Sequence, residues 1–198
     1  IYNLAVVSDD IAMRITHVMR GDDHVSNTPK QIALYQALGA PLPVFAHVPM
    51  ILGTDGKKLS KRHGATAVGD YQDQGILPSA MRNFLALLGW SIADDRDVFS
   101  LQEMVNVFDV VDVNSSPARF DQKKADAINA DHLRMLSLDD LTHRVLPFLK
   151  QAGVVSDPVS DADAQMLELA MPLISPRMNK LTEAPTLLGF LFVDEASF

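Results

Sequence analysis

Short apolar blocks alternate with polar turns over the first part of the chain, and this spacing predicts an α/β fold. Residues 1–7 are apolar and β-prone, which predicts a strand or the approach to one. Residues 15–19 predict a short buried strand that ends in a sudden polar cluster. A helix is then expected, with Thr28 at the N-cap, Pro29 as its first residue and Gly39 just past its end.

A second strand is expected over residues 44–52, at an edge or an end of the sheet, because Pro49 has no N–H for a neighbouring strand. A strand, a polar turn and a helix form half of a βαβ unit, and such sheets bind ligands where their strands end. Arg20 stands at the first of these ends, and the second strand leads into a basic loop. We therefore expect the two junctions to share a cleft for a nucleotide and a substrate.

The second part of the chain has the apolar spacing of three and four residues that predicts helices. Ser100 and Glu103 form a capping box, and Pro172 is expected to kink or split the helix that contains it. Helices are predicted from Pro78 to Gly89, from Ser100 to about residue 108, from Asp121 to about residue 129, from Ser137 to Gly153, over residues 161–174 and over residues 186–192.

Composition narrows the class of protein. Of 198 residues, 47% are hydrophobic and 21% charged, which is typical of a globular chain. No apolar run is long enough to span a membrane, and the start does not resemble a signal peptide. The absence of cysteine excludes disulfides and thiolate metal sites and fits a cytoplasmic protein. A net charge of −8 means that any phosphate contact must come from a local basic patch.

That patch is residues 57–64, KKLSKRHG, in which four of the first six side chains are always cationic. Glycines on both sides give the loop backbone freedom. Lys58 and Lys61, on either side of Ser60, could close over a polyphosphate and stabilise the charge of departing pyrophosphate. The alternative is a solvated basic loop.

Three segments in register carry a family resemblance. Residues 58–62, KLSKR, resemble the KMSKS motif of class I aminoacyl-tRNA synthetases. Residues 15–29, ITHVMRGDDHVSNTP, are similar to the strand, arginine turn and helix start of the bacterial glutamyl-type members, and residues 77–91 to the stretch after their KMSKS loop. Further similarity covers residues 2–5, YNLA, and residues 116–124, SPARFDQKK.

The resemblance implies an α/β plus all-α chain in three parts. Residues 1–95 would be the second half of a Rossmann-like catalytic domain, 96–135 a helical stem-contact region and 136–198 the start of a helical anticodon-binding domain. The HIGH-type motif of the class is expected before Ile1, so the isolated chain should be inactive. Ala125, Ala127 and His132 depart from the family's usual leucine, tryptophan and tyrosine, which affects helix packing and not the chemistry.

The implied activity is glutamate–tRNA ligation, with ATP and Mg²⁺ entering as a substrate complex and no zinc. Lys58 and Lys61 would neutralise the phosphates, and Ser60 would shape the loop or be an ordinary turn residue. Arg20 would bind a carboxylate of glutamate through two hydrogen bonds; its alternative is a salt bridge to Asp22 or Asp23.

The remaining roles follow the same resemblance. Tyr2 and Asn3 would bind glutamate, although Tyr2 could equally be an aromatic residue at a strand end. Asp23 and His24 match a polar pair near the ATP and the terminal adenosine of tRNA, and either could simply cap the next helix. Arg82 and Lys124 lie on segments that would face tRNA, where a solvated helix face is the default. The family is usually monomeric.

Two other functions remain open. The chain could be a non-catalytic module that binds tRNA or a nucleotide. It could also belong to a glutaminyl-type enzyme or to a tRNA-modifying relative of the same class, although the helical residues 100–198 argue against the latter.

Overall fold

The computed structural model describes residues 1–60, 67–93 and 96–192. These residues form two compact units. The first contains Ile1–Leu59, Leu88–Trp90 and Asp109–Phe120, and the second contains the other described residues. Within the described part of the chain, none of the helices has both the length and the apolar character needed to cross a membrane.

The first unit is built on two parallel strands and two helices. Helix α1 spans Tyr2–Ala12, strand β1 His17–Gly21, helix α2 Thr28–Ala37 and strand β2 Val44–Val48. A 3₁₀ helix, Asp22–Asn27, joins β1 to α2. The two strands pair in parallel, from His17 opposite Val44 to Gly21 opposite Val48. The predicted strands and helix are thus confirmed, although β2 is shorter than expected and ends just before Pro49.

The prediction of a strand over residues 1–7 is wrong, because these residues begin α1. Local β-propensity is overridden by packing: Val7 is fully buried on this helix, and Gln31 of α2 donates a 3.1 Å hydrogen bond to Asn3. Tyr35 of α2 also donates to Asp10, at 3.2 Å, and burial raises the pKa of its phenol. Just past the end of α1, Arg14 has a φ of 55° and closes a Schellman motif: its N–H bonds the Ile11 carbonyl at 3.1 Å, and the Ile15 N–H bonds the Asp10 carbonyl at 2.9 Å.

The start of α2 differs from the prediction by one residue. Asn27 is the N-cap and Thr28 is already helical, because the 3₁₀ helix runs directly into α2. Gly39 lies where it was expected: its φ is 66°, and its N–H bonds the Gln36 carbonyl at 3.1 Å. The hydroxyl of Thr28 is therefore available for contacts other than a cap.

The second unit is helical in its described residues. Asn129 of the helix Gln122–Arg134 is completely buried. It accepts a 2.8 Å hydrogen bond from the Leu77 N–H and donates a 2.6 Å bond to the Asn179 carbonyl, which fixes this helix to two other segments of the unit. Apolar side chains of the helices Leu138–Gln151 and Asp161–Ile174, including Val145 and Leu167, complete the core. The helices are α3 Val68–Asp73, α4 Pro78–Leu87, α5 Leu101–Val107, α6 Gln122–Arg134, α7 Leu138–Gln151, α8 Asp161–Ile174 and α9 Ala184–Leu188.

Most helix starts predicted for this unit are confirmed. Ser100 accepts from the Glu103 N–H at 3.2 Å while Glu103 accepts from the Ser100 N–H at 2.8 Å, as a capping box requires. Asp121 and Ser137 cap α6 and α7 through their side chains.

Four details differ from the predictions. Helix α6 continues to Arg134, and α3 has no counterpart in the sequence analysis. Helix α8 runs through Pro172 to Ile174, so the proline does not split it. In place of one helix over residues 186–192, α9 is followed by a 3₁₀ turn, Gly189–Leu191.

Candidate functional site

Polar side chains of the first unit gather at the carboxyl ends of β1 and β2. The 3₁₀ helix Asp22–Asn27 begins where β1 ends, so Arg20 precedes it and Thr28 follows it. In the parallel pairing, Arg20 lies opposite His47 of β2. The expectation that the two strand ends are neighbours is therefore confirmed.

Arg20 is held on two sides. Its Nη2 donates a 2.8 Å hydrogen bond to Thr28 Oγ1, and its Cζ lies 5.6 Å from the centre of the Phe45 ring, a cation–π contact. Its Nε is buried and has no hydrogen-bond partner among the described residues. The alternative of a salt bridge from Arg20 to Asp22 or Asp23 is not found in this part of the chain, where Asp23 pairs with Lys58 instead.

The Asp23–Lys58 contact joins the RGDDH segment to the start of KLSKR. Lys58 Nζ lies 2.5 Å from Asp23 Oδ2, and this hydrogen bond is the main cause of a lowered pKa for the Asp23 carboxyl. Gly21 makes room for it, because a Cβ on Gly21 would lie 2.6 Å from Asp23 Oδ1. A polar network within the first unit thus connects the two motifs that the sequence singled out.

Lys58 is presented by a short hairpin after β2. The Gly53 N–H bonds the Lys57 carbonyl at 2.8 Å, and the Leu59 N–H bonds the Ile51 carbonyl at 2.9 Å. Gly56 turns the hairpin with a φ of 74°, a conformation that favours glycine. These backbone hydrogen bonds fix the start of the basic segment, and the Lys58 side chain remains largely exposed.

Tyr2 and His24 are neighbours. Their ring centroids are 6.4 Å apart, with an angle of 32° between the planes. The Asn27 amide donates to His24 Nδ1 at 3.2 Å, so His24 carries its proton on Nε2 when neutral. Asn3 accepts the hydrogen bond from Gln31 described above, which gives it a role in packing α1 on α2.

The other two predicted residues of the motif are Ser60 and Lys61. Ser60 is half-buried. Lys61, which the sequence analysis assigns to the phosphates together with Lys58, lies outside the described residues.

Residues 1–127 match the family model described as tRNA synthetases class I (E and Q), catalytic domain. The chain belongs to this family. The resemblance drawn from KLSKR and RGDDH is confirmed, and so is the expected fold.

Individual relatives of this class I synthetase chain agree. It is 60% identical to a glutamate–tRNA ligase of Nocardioides sp. (strain JS614) over 203 aligned residues, and 50% identical to one of Synechococcus sp. (strain JA-3-3Ab) over 198. Each comparison covers the whole chain but 41% of the relative. A crystal structure of a glutamate tRNA ligase from Elizabethkingia meningosepticum in complex with its amino acid has a TM-score of 0.81 at 30% identity. It covers 100% of this chain and 43% of that one, so the chain spans about two-fifths of such relatives.

The two residues predicted to contact tRNA lie in the second unit of this synthetase chain. Lys124 at the start of α6 forms a 2.8 Å ion pair with Asp97. Arg82 of α4 is exposed and lines a cavity of about 130 Å³. The sequence analysis assigned both residues to tRNA only because they lie on segments that resemble tRNA-facing regions of the family. Their contacts with RNA remain predictions.

A buried polar network beside that cavity was not predicted. Asn83 accepts hydrogen bonds from the Phe99 N–H at 3.0 Å and from His132 Nε2 at 2.9 Å, and donates to the Asp97 carbonyl at 2.8 Å. Burial lowers the pKa of His132. The sequence signal was His132 itself, which departs from the family's usual tyrosine, but a single position could not reveal its partner.

No group of three or more histidine, aspartate or glutamate side chains among the described residues could hold a metal ion.

Proposed function

We propose that the chain is the second catalytic half of a glutamate–tRNA ligase, followed by helical regions that contact tRNA. The observation that carries the proposal is the Asp23–Lys58 contact, which joins two sequence motifs of the family at the strand ends. Relatives with this name, at 47–60% identity over the whole chain, support it. Because the chain spans about two-fifths of their length, the activity is proposed for the full-length protein.

The first step joins glutamate to ATP. An oxygen of the α-carboxylate attacks the α-phosphorus, the bond to the bridging oxygen breaks, and pyrophosphate leaves with its Mg²⁺. Such a reaction needs positioning and charge neutralisation more than covalent catalysis. Lys58 and Lys61 neutralise the departing phosphates, and Ser60 shapes the loop that carries Lys61. Removing one such donor costs about 2.7–4 kcal/mol of transition-state stabilisation.

The amino acid binds through Arg20, whose guanidinium matches a carboxylate in shape and charge. Tyr2 donates a hydrogen bond to the same substrate, and Asn3 contributes from the next position of α1. His24 Nε2–H donates to ATP or to the terminal adenosine of tRNA. Asp23 acts on ATP through Lys58, because an anionic carboxylate facing a triphosphate would otherwise repel it.

In the second step the glutamyl group passes to the 3′ end of tRNA-Glu. Arg82 and Lys124 bind tRNA phosphates, so binding should weaken with salt. The three-part division at residues 95 and 135 stands as part of this proposal. We further propose a monomeric enzyme of the cytoplasm.

The function is tested by ATP–pyrophosphate exchange with the full-length protein and each of the twenty amino acids. Exchange should depend on glutamate. Exchange driven better by glutamine, or by any other amino acid, would reject the assignment. The glutaminyl alternative is tested by the same measurement, because the family model covers both the E and the Q enzymes.

The role of the loop is tested by Lys61→Ala in the full-length protein. Loss of one phosphate contact should lower the exchange rate about 100- to 1000-fold. Lys57→Ala removes the same charge from another position of the same basic segment and should retain most of the rate. Wild-type exchange by Lys61→Ala would refute this role.

The alternative of a binding module applies to the isolated chain, because it spans 41% of the relatives. We expect this chain alone to give no measurable exchange. Robust exchange by it would show that the missing part of the relatives is not needed for chemistry.

A further inference from the structure

Three polar groups converge on one hydroxyl beside the proposed amino-acid site. Thr28 Oγ1 lies 2.8 Å from Arg20 Nη2, 3.0 Å from His47 Nε2 and 3.4 Å from the His24 carbonyl oxygen. These partners come from β1, β2 and the 3₁₀ helix. Thr28 is available to all three because Asn27, and not Thr28, is the N-cap of α2.

The hydrogen-bond directions follow from the chemistry of the groups. Arginine only donates, so Thr28 Oγ1 accepts from Arg20. The single hydroxyl proton is donated to the His24 carbonyl oxygen at 3.4 Å. The hydroxyl oxygen also makes a 3.0 Å hydrogen bond with His47 Nε2, whose direction depends on the tautomer of that ring. The result is a chain of hydrogen bonds that joins Arg20, through Thr28, to His47 and to the backbone of His24.

These hydrogen bonds restrict the orientation of the Arg20 guanidinium. The Phe45 ring covers one face of the group, and Thr28 holds Nη2 at its edge. His47 lies directly opposite Arg20 in the strand pairing, so the sheet fixes the backbone of this partner of Thr28. Among the described residues, the buried Nε and the terminal Nη1 of this guanidinium have no hydrogen-bond partner.

We propose that Thr28 is a positioning residue for the amino-acid substrate, whose hydroxyl orients the Arg20 guanidinium toward the substrate carboxylate. The inference rests on the proposed function and deepens it. Thr28 itself does not touch the substrate. Without the hydroxyl, the Arg20 guanidinium rotates about its last side-chain bonds. Binding of the substrate carboxylate must then order those bonds, which lowers the affinity for the amino acid.

Three variants of the full-length protein test this in the exchange assay. Thr28→Val keeps the branched shape and removes the hydroxyl, Thr28→Ala removes both, and Thr28→Ser keeps the hydroxyl. Thr28→Val and Thr28→Ala should raise the KM for glutamate about tenfold, the usual order for losing a hydrogen bond to a charged group. The KM for ATP should stay within about twofold, and Thr28→Ser should restore the KM for glutamate.

Thr142→Val is the matched control, because the Thr142 hydroxyl donates to the Leu138 carbonyl within α7. It should leave both KM values unchanged. A merely structural role for Thr28 would lower thermal stability and change both KM values together, which would overturn the inference. So would a normal KM for glutamate in Thr28→Val, or an equal defect in Thr28→Ser.

The outcomes separate this inference from the function on which it rests. If the wild-type protein shows no glutamate-dependent exchange, the proposed function fails, and the inference fails with it. If the wild-type protein is active but Thr28→Val and Thr28→Ala behave like it, only the inference fails.

Discussion

At the scale of single residues, Gly21 leaves space for a charged side chain because it has no Cβ. The space that a Cβ would fill is occupied by the Asp23 carboxylate, which reaches Lys58 from there. The sequence predicted that Arg20, Asp23 and Lys58 belong to one site, because they follow neighbouring strands. It could not predict the direct Asp23–Lys58 pair, because that pair joins a 3₁₀ helix to a hairpin 35 residues away.

Gly21→Ala should therefore displace the Asp23 carboxylate without unfolding the chain. The atom in the way is the end of a flexible side chain, 2.6 Å from the new Cβ. Because the Lys58 hydrogen bond is the main cause of the lowered pKa of Asp23, that pKa should rise toward its ordinary value. The measurement is an NMR titration of the aspartate side-chain carboxyl signals.

Gly69→Ala is the control, because a Cβ there meets nothing within 4 Å. It should leave the pKa of Asp23 unchanged. An unaltered pKa of Asp23 in Gly21→Ala would mean that the carboxylate keeps its contact with Lys58 by another route. In the wild type the pKa of Asp23 is lower in the folded state, so the stability that the contact contributes is complete above the ordinary pKa and is lost as pH falls through the lowered one.

At the scale of elements, local signals predicted helices better than strands. Ser100, Asp121 and Ser137 were identified as helix starts because a cap requires only nearby residues. Residues 1–7 were assigned to a strand because their β-propensity is local, whereas the burial of Val7 against the rest of its unit is not. The position of Thr28 was missed by one residue because a 3₁₀ helix before it left no loop in which to place the cap.

The capping box of α5, formed by Ser100 and Glu103, contributes to the stability of the fold. Ser100→Ala should lower the free energy of unfolding by about 1 kcal/mol, as loss of an N-cap does. Backbone and side-chain hydrogen bonds from Ser100 and Arg96 lower the pKa of Glu103 to about 2. The contribution of Glu103 is therefore present above its unfolded pKa and is lost as pH falls toward about 2.

Urea unfolding between pH 2 and pH 7 measures both effects. Glu103→Gln should flatten the acid limb of the stability curve, while Glu168→Gln, at an exposed position of α8, should not. A Glu103→Gln curve that is parallel to the wild-type curve would contradict this account of the box.

The buried hydrogen bond between Asn83 of α4 and His132 of α6 makes the stability of the fold depend on pH. The direction is opposite to that produced by a histidine whose cation is stabilised on folding. Burial lowers the pKa of His132 in the folded chain, so the unfolded chain takes up a proton first as pH falls. Stability should therefore decrease as pH falls through the ordinary range of histidine. His132→Gln keeps a donor for Asn83 and should reduce this decrease, as measured by thermal unfolding at pH 5 and pH 7.

His143→Gln is the matched change at an exposed position of α7, and it should leave the decrease in place. If His132→Gln and His143→Gln alter the pH dependence equally, burial of His132 is not its cause.

At the scale of the whole molecule, motif order identified the family before any contact was known. RGDDH, KLSKR and the segment 77–91 are specific because they occur in register, and the family match over residues 1–127 confirms that interpretation. The division into two contact units was beyond sequence reasoning, because Leu88–Trp90 and Asp109–Phe120 join the first unit from distant parts of the chain. Roles of single residues in binding remain proposals.

Arg20 and Lys58 are proposed to bind the two substrates of one reaction, glutamate and ATP. A crystal structure of the full-length protein with glutamate and an ATP analogue that cannot be cleaved between its α- and β-phosphates tests this. We expect Arg20 to contact a carboxylate of glutamate and Lys58 to have moved from Asp23 to the phosphates. A glutamate bound without Arg20, or a triphosphate out of reach of Lys58, would contradict it.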